Sequence, residues 1–331
     1  MSRIGFLLPA HYCFSRGSGV RQEALLKQRG LKALGHHVEL LSPWTPVPHD
    51  SLDVVHFFYG GLQLSGIEAV RQVAPRRLVF STIIDSNQGQ AAYRLAAWMG
   101  TLNSRLFSVQ GEFRRQAMLA DAVVVRSRHE RERVVHGLGI AASKVHLVPL
   151  GIDLVGINRV RASSGGREGI FHLSAFDQPR KNVLRLIAAV GPTGLPLTIA
   201  GSCAAEELPR IIAAARPFPG ISIRGFLSAV ERDEIYYRSR VFVLPSLHEG
   251  TGLSALEAGV RGCGVVITRN GGPPDYFAGI GQLVDPLSVE DIRSAVLAAY
   301  ARSDPQAISE HIAERFNERV CAERLLTVYQ A

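Results

Sequence analysis

The sequence is poor in cysteine, and its four cysteines are far apart (Cys13, Cys203, Cys263 and Cys321). No pair has the spacing of zinc ligands, and there is no HExxH motif or carboxylate cluster, so we expect no tight metal site. No apolar run approaches the roughly 18 residues that cross a bilayer. The opening segment Met1–Ala10 lacks the length and cleavage site of a signal peptide. We interpret it as a first strand and expect a cytoplasmic protein with reduced thiols.

Acidic residues are scarce in the first half of the chain. Residues 1–152 contain 18 lysines and arginines against 10 acidic residues, a net charge of +8, whereas residues 153–331 contain 19 of each. A basic half attracts phosphorylated substrates, acidic lipid surfaces or nucleic acid, and the alternative is a solvated basic face. Because no nucleic-acid-binding motif occurs, no nucleic-acid partner is expected. A peripheral anionic membrane surface, at the inner membrane face, is a predicted partner.

Short apolar runs recur along the chain, each followed by a longer stretch with helical periodicity. The runs are residues 4–8, 38–41, 54–58, 78–84, 122–125 and 145–148, then 170–173, 197–200, 221–223, 241–244 and 265–267. Continuous apolar runs are typical of strands buried on both faces, so the pattern predicts parallel sheets with crossover helices. Residues 90–119 are expected to form one long helix, and residues 288–330 two or three amphipathic helices. Trp98, Met99 and Phe107 in the long helix are interpreted as packing residues, with an apolar groove for a lipid or aglycone as the alternative.

The composition also predicts where the domains meet. The stretch Gly151–Gly169 contains Ser163-Ser164-Gly165-Gly166 and few large apolar residues, which is the composition of a linker. We therefore expect an N-terminal domain at residues 1–152, a linker at 153–169 and a C-terminal domain at 170–312. Each domain has enough strands for a doubly wound sheet, and ligands of such sheets bind beyond the carboxyl ends of the strands.

The segment Val241–Gly262 carries the first candidate site. An apolar strand runs into Pro-Ser, then into a glycine turn that includes Glu249, and a helix is predicted to begin near Leu253. Such a helix start binds anions through its free N–H groups. Glu249 and Glu257 are eight residues apart, about two helical turns, so both carboxylates are expected to face one cleft and accept hydrogen bonds from hydroxyl groups. The alternative is a glycine turn with two solvent-facing glutamates.

A second candidate site follows another strand, in Ser174–Asn182, where a helix is expected to begin near Asn182. Arg180 and Lys181 lie there, and Lys181 is one of only four lysines in the chain. Cations at this position are suited to neutralising a leaving diphosphate, whereas the alternative is a solvated basic pair.

Further candidates lie in the first half. Arg16–Gly19 forms a glycine loop before a helix but lacks the GxGxxG fingerprint. His56 ends a strand, where a residue lining a cleft would lie, although a strand histidine is more often structural. His11 is a weaker candidate of the same kind.

In the second half, the motifs resemble the carboxyl-terminal domain of retaining GT-B glycosyltransferases of the "glycosyl transferases group 1" (GT4-like) family. The resemblance is carried by motifs in the family's order and spacing. They are Gly225-Phe226, a strand into Pro245-Ser246, Glu249-Gly250-Thr251-Gly252-Leu253 with Glu257, Gly271-Gly272 with Asp275, and Gly281–Pro286. The first half is a looser match through Gly17–Leu34 with Gly35–Val38, through Val54-Val55-His56 and through Val148–Asp153.

The resemblance implies a GT-B architecture, in which two doubly wound Rossmann-like domains face a central cleft and a final helix, residues 313–331, crosses back to the first domain. It implies a donor that is a nucleotide-diphosphate sugar (UDP-, GDP-, ADP- or dTDP-linked), with no tightly bound cofactor and no metal in the chemical step. Glu249 and the backbone of Gly250–Leu253 would hold the sugar and distal phosphate, and Glu257 would hold the ribose. Lys181 and Arg180 would stabilise the leaving diphosphate.

The resemblance implies further roles for single residues. Gly19 would let the first domain approach the donor, while Phe226 and Asp275 would lie near the nucleotide. His11, His56 and Asp85 are assigned to the acceptor side. Four positions depart from the family pattern: Phe176 replaces an arginine, Ile84 a histidine, Thr251 an aromatic residue and Asp275 a glutamate.

The predicted function is that of a retaining glycosyltransferase acting on an acceptor hydroxyl. The acceptor is expected to be a lipid-linked or anionic glycan or a natural product. Two alternatives stay open at this point. The first is a GT-B nucleotide-sugar epimerase or phosphorylase, and the second is a non-catalytic nucleotide- or glycan-binding module.

Overall fold

The computed structural model describes residues 1–9, 19–42, 51–58, 76–102, 108–157, 166–302 and 304–331. They form two compact units. The first contains Met1–Asp153 and Phe316–Ala331, and the second contains Leu154–Arg315. Much of the predicted linker lies outside the described residues. None of the helices in the described ranges is both long and apolar enough to pass through a bilayer.

The first unit contains a six-stranded parallel sheet in the order β2-β1-β3-β4-β5-β6. Its strands are β1 Arg3–Leu7, β2 His37–Leu40, β3 Val54–Phe58, β4 Arg77–Ser81, β5 Ala122–Val125 and β6 Val145–Leu147. Its helices are α1 Gly19–Ala33, α2 Gln90–Leu102, α3 Val109–Leu119, α4 Arg128–Glu132, which continues as a π-turn over Arg133–Gly137, and the final helix α12, Glu318–Gln330.

Both faces of this sheet are buried, as the continuous apolar runs predicted. On β3, Val55 and Phe57 pack against the layer that contains α2 and α3. Val54 and Phe58, which alternate with them, pack against the layer that contains α1 and α12. Gly30 of α1 permits this second layer, since a Cβ there would lie 2.6 Å from the carbonyl oxygen of Glu318.

The second unit has its own six-stranded parallel sheet, in the order β12-β11-β10-β7-β8-β9. Its strands are β7 Ile170–Leu173, β8 Leu197–Ala200, β9 Ile221–Ile223, β10 Val241–Leu244, β11 Gly264–Thr268 and β12 Gln282–Val284. Its helices are α5 Val183–Val190, α6 Leu208–Ala215, α7 Ala229–Arg238, α8 Leu253–Val260, α9 Pro274–Phe277, α10 Val289–Arg302 and α11 Pro305–Arg315. The predicted parallel α/β class is therefore confirmed in both units.

Three details differ from the sequence prediction. The expected long helix over residues 90–119 is two helices, because the Ser108 hydroxyl caps a new helix by accepting a hydrogen bond from the Gly111 N–H at 2.9 Å. The strand expected over residues 78–84 ends at Ser81, since Ile83 adopts a left-handed φ of 51°. The pattern of apolar runs also did not predict β12, a strand of three residues.

Candidate functional site

The second unit brings its two main candidate segments to one point of the sheet. From β7 the chain continues to β8 and β9 on one side, then returns to β10 on the other side of β7. The loops that follow β7 and β10 therefore diverge at the carboxyl edge, which is where ligands bind in doubly wound sheets. Lys181 follows β7 and Glu249 follows β10.

Lys181 and Glu249 form a buried ion pair. The Lys181 Nζ donates to Glu249 Oε1 at 2.5 Å, and the Ser246 hydroxyl donates to the same oxygen at 2.6 Å. Arg180 is exposed, with its nearest guanidinium nitrogen 3.8 Å from that oxygen. Only 9% of Lys181 and 6% of Glu249 are accessible to solvent. All of these contacts use the same carboxylate oxygen, Oε1 of Glu249.

Asn182, which sequence reasoning did not assign to the site, ties the two loops together. Its side-chain Nδ2 donates to the carbonyl oxygens of Pro245 at 2.9 Å and Pro286 at 2.6 Å. Its φ is 60°, a left-handed conformation that asparagine tolerates better than most residues. The signal in the sequence was the asparagine directly before the helix, and α5 does begin at Val183, as predicted.

The Gly271-Gly272 turn holds the backbone of Glu249. The Glu249 N–H donates to the Asn270 carbonyl at 3.2 Å, and the Gly272 N–H donates to the Glu249 carbonyl at 3.0 Å. Gly271 has a φ of 103°, and a Cβ there would lie 2.0 Å from the Glu249 carbonyl oxygen. Only glycine fits this position, so the two motifs form one structural unit.

The start of α8 offers donors to an anion. Gly252 precedes the helix with a φ of 84°, and no side chain caps the helix among the described residues. The first N–H groups of a helix have no partner within the helix. The Thr251 hydroxyl beside them is also buried without a hydrogen-bond partner in the part of the chain that the structure describes. Gly250, Thr251 and Gly252 are all buried, and Leu253 is partly exposed.

Glu257 lies one turn inside α8 and is partly exposed. The Tyr236 hydroxyl donates to Glu257 Oε2 at 3.1 Å. Burial, reinforced by the Glu257 charge, raises the pKa of Tyr236 well above its ordinary value, so the phenol stays a donor. The helical-spacing argument for the two glutamates is wrong, because α8 begins at Leu253, after Glu249. A shared pocket for the two carboxylates stays a prediction.

His172, a second residue that sequence reasoning missed, lies beneath the ion pair on β7. Its Nδ1–H donates to the Val243 carbonyl at 2.8 Å, and its Nε2 is 2.7 Å from the Ser174 hydroxyl. Burial lowers the pKa of His172 to about 4, and the Lys181 charge acts in the same direction. The imidazole is therefore neutral near pH 7 and adds no charge beneath the site.

Two further predicted donor-side residues lie at other strand ends of this sheet. Phe226, after β9, is 80% exposed and borders a cavity of about 640 Å³ that also includes Gly201 and Gly225. Asp275 lies in α9 and is partly exposed, with its N–H bonded to the Gly272 carbonyl. Their contact with a nucleotide stays a prediction.

In the first unit, the structure disagrees with one acceptor-side candidate. His56 is fully buried, with Nδ1 2.6 Å from the Tyr329 hydroxyl and Nε2 2.8 Å from the Ser81 hydroxyl. Burial, with a smaller contribution from Lys27, lowers the pKa of His56 well below its ordinary value. The imidazole is part of the core, which favours the structural alternative over a residue lining a cleft.

The other candidates of the first unit are less buried or lie outside the residues that the structure describes. Gly19 opens α1, is exposed, and has open space where a Cβ would be. His11 and Arg16–Ser18 lie outside the described residues. Asp85 has a side chain that is 43% exposed, and its Oδ1 lies 2.8 Å from Arg126 Nη2.

Asp85 is held by a buried cluster that sequence reasoning missed. Arg126 follows β5, and its Nε donates to Glu130 Oε2 at 3.1 Å. Glu130 Oε1 accepts hydrogen bonds from the Thr82 hydroxyl at 2.8 Å and the Ile84 N–H at 2.6 Å. These bonds hold the left-handed residue Ile83 between Thr82 and Ile84. Burial opposes the positive charge of Arg126, but the neighbouring carboxylates, Glu130 first, raise its pKa well above the ordinary value.

No group of three or more histidine, cysteine, aspartate or glutamate side chains is arranged to hold a metal ion among the residues that the structure describes. The candidate site of the second unit instead consists of an ion pair, backbone N–H groups and hydroxyl groups, which suits an anionic ligand that also carries hydroxyls.

Comparison with known proteins shows what the second unit is similar to. Residues 167–302 match the profile of the family described as "Glycosyl transferases group 1". The resemblance to group 1 glycosyltransferases is confirmed. The match contains every second-unit candidate from Lys181 to Asp275. A segment of 130 residues is also 33% identical to the serotype-specific mannosyltransferase WbdA of Escherichia coli, and it covers 36% of this chain and 16% of that protein. The chain thus matches about a sixth of the length of this relative.

Solved structures resemble the chain over its whole length. Sucrose-phosphate synthase from Thermosynechococcus elongatus has a TM-score of 0.74 at 17% identity, covering 99% of this chain and 98% of that one. Anabaena Alr3699/HepE, solved in complex with UDP and glucose, has a TM-score of 0.69 at 15% identity, with 100% of both chains covered. The neighbours are GT-B glycosyltransferases, and the chain shares their fold of two Rossmann-like domains.

Proposed function

We propose that the protein is a retaining glycosyltransferase that moves a sugar from a nucleotide-diphosphate sugar to an acceptor hydroxyl. The observation that carries the proposal is the buried Lys181–Glu249 pair beside the uncapped start of α8. It combines cationic and N–H donors for phosphate with a carboxylate for hydroxyl groups, within a region that matches the group 1 family. A nucleotide-diphosphate sugar carries both kinds of group.

The donor would lie with its distal phosphate at the start of α8. The N–H groups of this first turn, which no side chain caps, would supply donors. So would the buried Thr251 hydroxyl, which has no hydrogen-bond partner among the described residues. Lys181 and the exposed Arg180 supply positive charge as the bond between sugar and phosphate breaks. Fixed donors stabilise developing charge best where water is excluded, which explains why most of this cluster is buried.

The carboxylates would recognise hydroxyl groups. Glu249 Oε1 is occupied by Lys181 and Ser246, so Oε2 would accept hydrogen bonds from the sugar. Glu257, partly exposed and oriented by Tyr236, would bind the ribose. The exposed ring of Phe226 would stack against the base, since aromatic rings offer an apolar face for such contacts.

Retention is proposed from the resemblance to retaining group 1 glycosyltransferases, and the site limits how it would occur. Lys181 already pairs with the carboxylate of Glu249, which leaves that carboxylate poorly suited to act as a nucleophile. For retention without a covalent intermediate, the acceptor hydroxyl would attack C1 of the sugar from the face that the diphosphate leaves, and its proton would pass to the departing phosphate oxygen. Asp85, held by Arg126, would bind the acceptor on the first unit. The basic first half of the sequence fits a lipid-linked or anionic acceptor at a membrane surface.

The experiment is a turnover assay with UDP-, GDP-, ADP- and dTDP-sugars, with and without a mixture of glycan and lipid-linked acceptors. We expect one nucleotide series to release nucleoside diphosphate in an acceptor-dependent manner, with the anomeric configuration retained by NMR. Lys181→Met should slow transfer by about 100-fold. Arg319→Met, at an exposed cation of α12, is the matched control and should leave transfer unchanged.

Two results would contradict the proposal. Conversion of the donor sugar without an acceptor would indicate an epimerase. Nucleotide binding without turnover of any donor would indicate a binding module.

A further inference from the structure

Helix α2 is apolar on the side that faces away from the sheet. Leu95 is 53% exposed, Trp98 51% and Met99 41%, and their spacing places them on one helical face. The opposite face, with Tyr93 and Ala97, packs into the core. A surface helix of a globular protein normally presents polar residues to water, so this outward face needs an explanation. The expectation that Trp98 and Met99 are packing residues is therefore wrong in part, because both are more than 40% exposed. Phe107, which shared that expectation, lies outside the described residues.

Helices α2 and α3 carry more positive than negative charges. Arg94, the one charged residue of α2, is exposed beside Leu95. The neighbouring helix α3 contains a single acid, Glu112, which is buried and paired with Arg115 at 2.7 Å. At the end of α3, Met118 is 57% exposed, and its carbonyl oxygen accepts a hydrogen bond from Lys144 Nζ.

We propose that the outward face of α2 (Arg94, Leu95, Trp98 and Met99) is a contact surface for an anionic lipid bilayer. Apolar and aromatic side chains flanked by arginine are the composition of helices that lie in the headgroup region of a bilayer. The net charge of +8 in residues 1–152 attracts anionic headgroups to the same unit. The surface rests on the proposed function, since it would hold the first unit against a membrane that carries the acceptor.

Other occupants fit this face less well. A symmetric contact with a second copy would bring Arg94 toward an equally cationic surface. A small soluble aglycone needs a concave site, whereas these side chains stand on the outside of a helix.

The experiment uses the tryptophan of the surface as the probe. The chain has two tryptophans, so Trp44→Phe leaves Trp98 as the one reporter. This protein is mixed with phosphatidylcholine vesicles, with and without phosphatidylglycerol as one lipid in three, and binding is measured by cosedimentation. We expect binding about tenfold tighter with phosphatidylglycerol. On those vesicles the Trp98 emission should shift to the blue and be quenched by lipids brominated along the acyl chain.

Matched variants distinguish binding through this surface from nonspecific binding of the protein to vesicles. Leu95→Gln with Met99→Gln should weaken binding about tenfold, and Arg94→Gln should reduce the preference for anionic vesicles. The control is Ile212→Gln with Leu297→Gln, which removes two exposed apolar side chains from the second unit and should change nothing. Thermal unfolding checks that every variant is folded.

The proposal is overturned if the protein binds neutral and anionic vesicles equally well or binds neither. It is also overturned if vesicles leave the Trp98 emission unchanged. Dimers in light scattering that disappear with Leu95→Gln and Met99→Gln would also overturn it, in favour of a second copy. Nucleotide binding by the second unit does not enter these measurements, so failure here is distinguishable from failure of the proposed function.

Discussion

Gly271→Ala would test whether the glycine turn fixes Glu249. The new Cβ would lie 2.0 Å from the Glu249 carbonyl oxygen and 3.0 Å from His248 Nε2, at a φ of 103°. Because the Glu249 carbonyl is backbone, the turn must open to relieve the clash. Opening the turn breaks the two backbone hydrogen bonds that join Glu249 to Asn270 and Gly272.

The magnitude follows from these contacts. A left-handed conformation costs a residue with a side chain about 1–2 kcal/mol, and each lost backbone bond costs about 1 kcal/mol. We therefore expect the free energy of unfolding of the second unit to fall by about 3 kcal/mol, or roughly 10 °C in midpoint for a unit of this size. Affinity for the nucleotide-diphosphate sugar should fall as well, since Glu249 moves with the turn.

The matched control is Gly279→Ala. Gly279 also has a left-handed φ, of 84°, but nothing lies within 4 Å of its Cβ position. The control should lose about 1 kcal/mol through backbone strain alone and keep its affinity for nucleotide. Calorimetry of both variants checks the difference. Equal losses of stability in the two variants would refute the argument that the turn holds Glu249.

Three further predictions concern buried titratable groups. Glu130→Gln should lower the free energy of unfolding by about 3 kcal/mol, because Arg126 loses its carboxylate partner. An amide also cannot accept all four hydrogen bonds, which come from the Thr82 hydroxyl, the Ile84 N–H, and the N–H and Nε of Arg126. A loss below 1 kcal/mol in urea unfolding would contradict this prediction. The pKa of His172 is lowered to about 4, so below about pH 6.5 the unfolded chain binds a proton that the folded protein does not. His172 alone should therefore lower the free energy of unfolding by about 2 kcal/mol from pH 7.5 to pH 5. His172→Gln should flatten that profile in calorimetry at several pH values, and an unchanged slope would count against a buried neutral imidazole. Lys181→Met should lower the free energy of unfolding by about 2 kcal/mol, because Glu249 loses its close cation. Adding Glu249→Gln to that variant should recover most of the loss. If the two losses are additive in a double-mutant cycle, the two side chains are not coupled.

The second unit could be predicted well from sequence because its site is local in the chain. Strand, glycine turn and helix start follow one another within Val241–Val260, so the pattern of residues indicates the site directly. Lys181 likewise follows its strand within a few residues. The Lys181–Glu249 pair itself could not be predicted, since 68 residues separate the partners and only the order of strands brings them together.

The first unit was harder to interpret. The sequence predicts His56 at a strand end, like the residues of a site, but it is the third of the five residues of β3. Packing of α12 over the sheet places Tyr329 against it and buries it. The Arg126–Glu130 cluster lacks a motif, because it joins two parts of the chain that are far apart in sequence, residues 82–85 and 126–130. The exposure of Trp98 also depends on which face of α2 meets the sheet, and a helix that is apolar on both sides gives no sequence signal for that choice.

The central claim is that the second unit binds a nucleotide-diphosphate sugar through Glu257 and the start of α8. The most direct measurement is thermal denaturation of wild type, Glu257→Gln and Glu257→Ala with UDP, GDP, ADP, dTDP and NAD in turn. A ligand at about 100 times its dissociation constant adds roughly 2.7 kcal/mol, which raises the midpoint by several degrees. We expect one nucleoside diphosphate to stabilise the wild type, to stabilise Glu257→Gln less and to leave Glu257→Ala unchanged. Stabilisation by NAD alone, or equal stabilisation of all three proteins, would contradict the account.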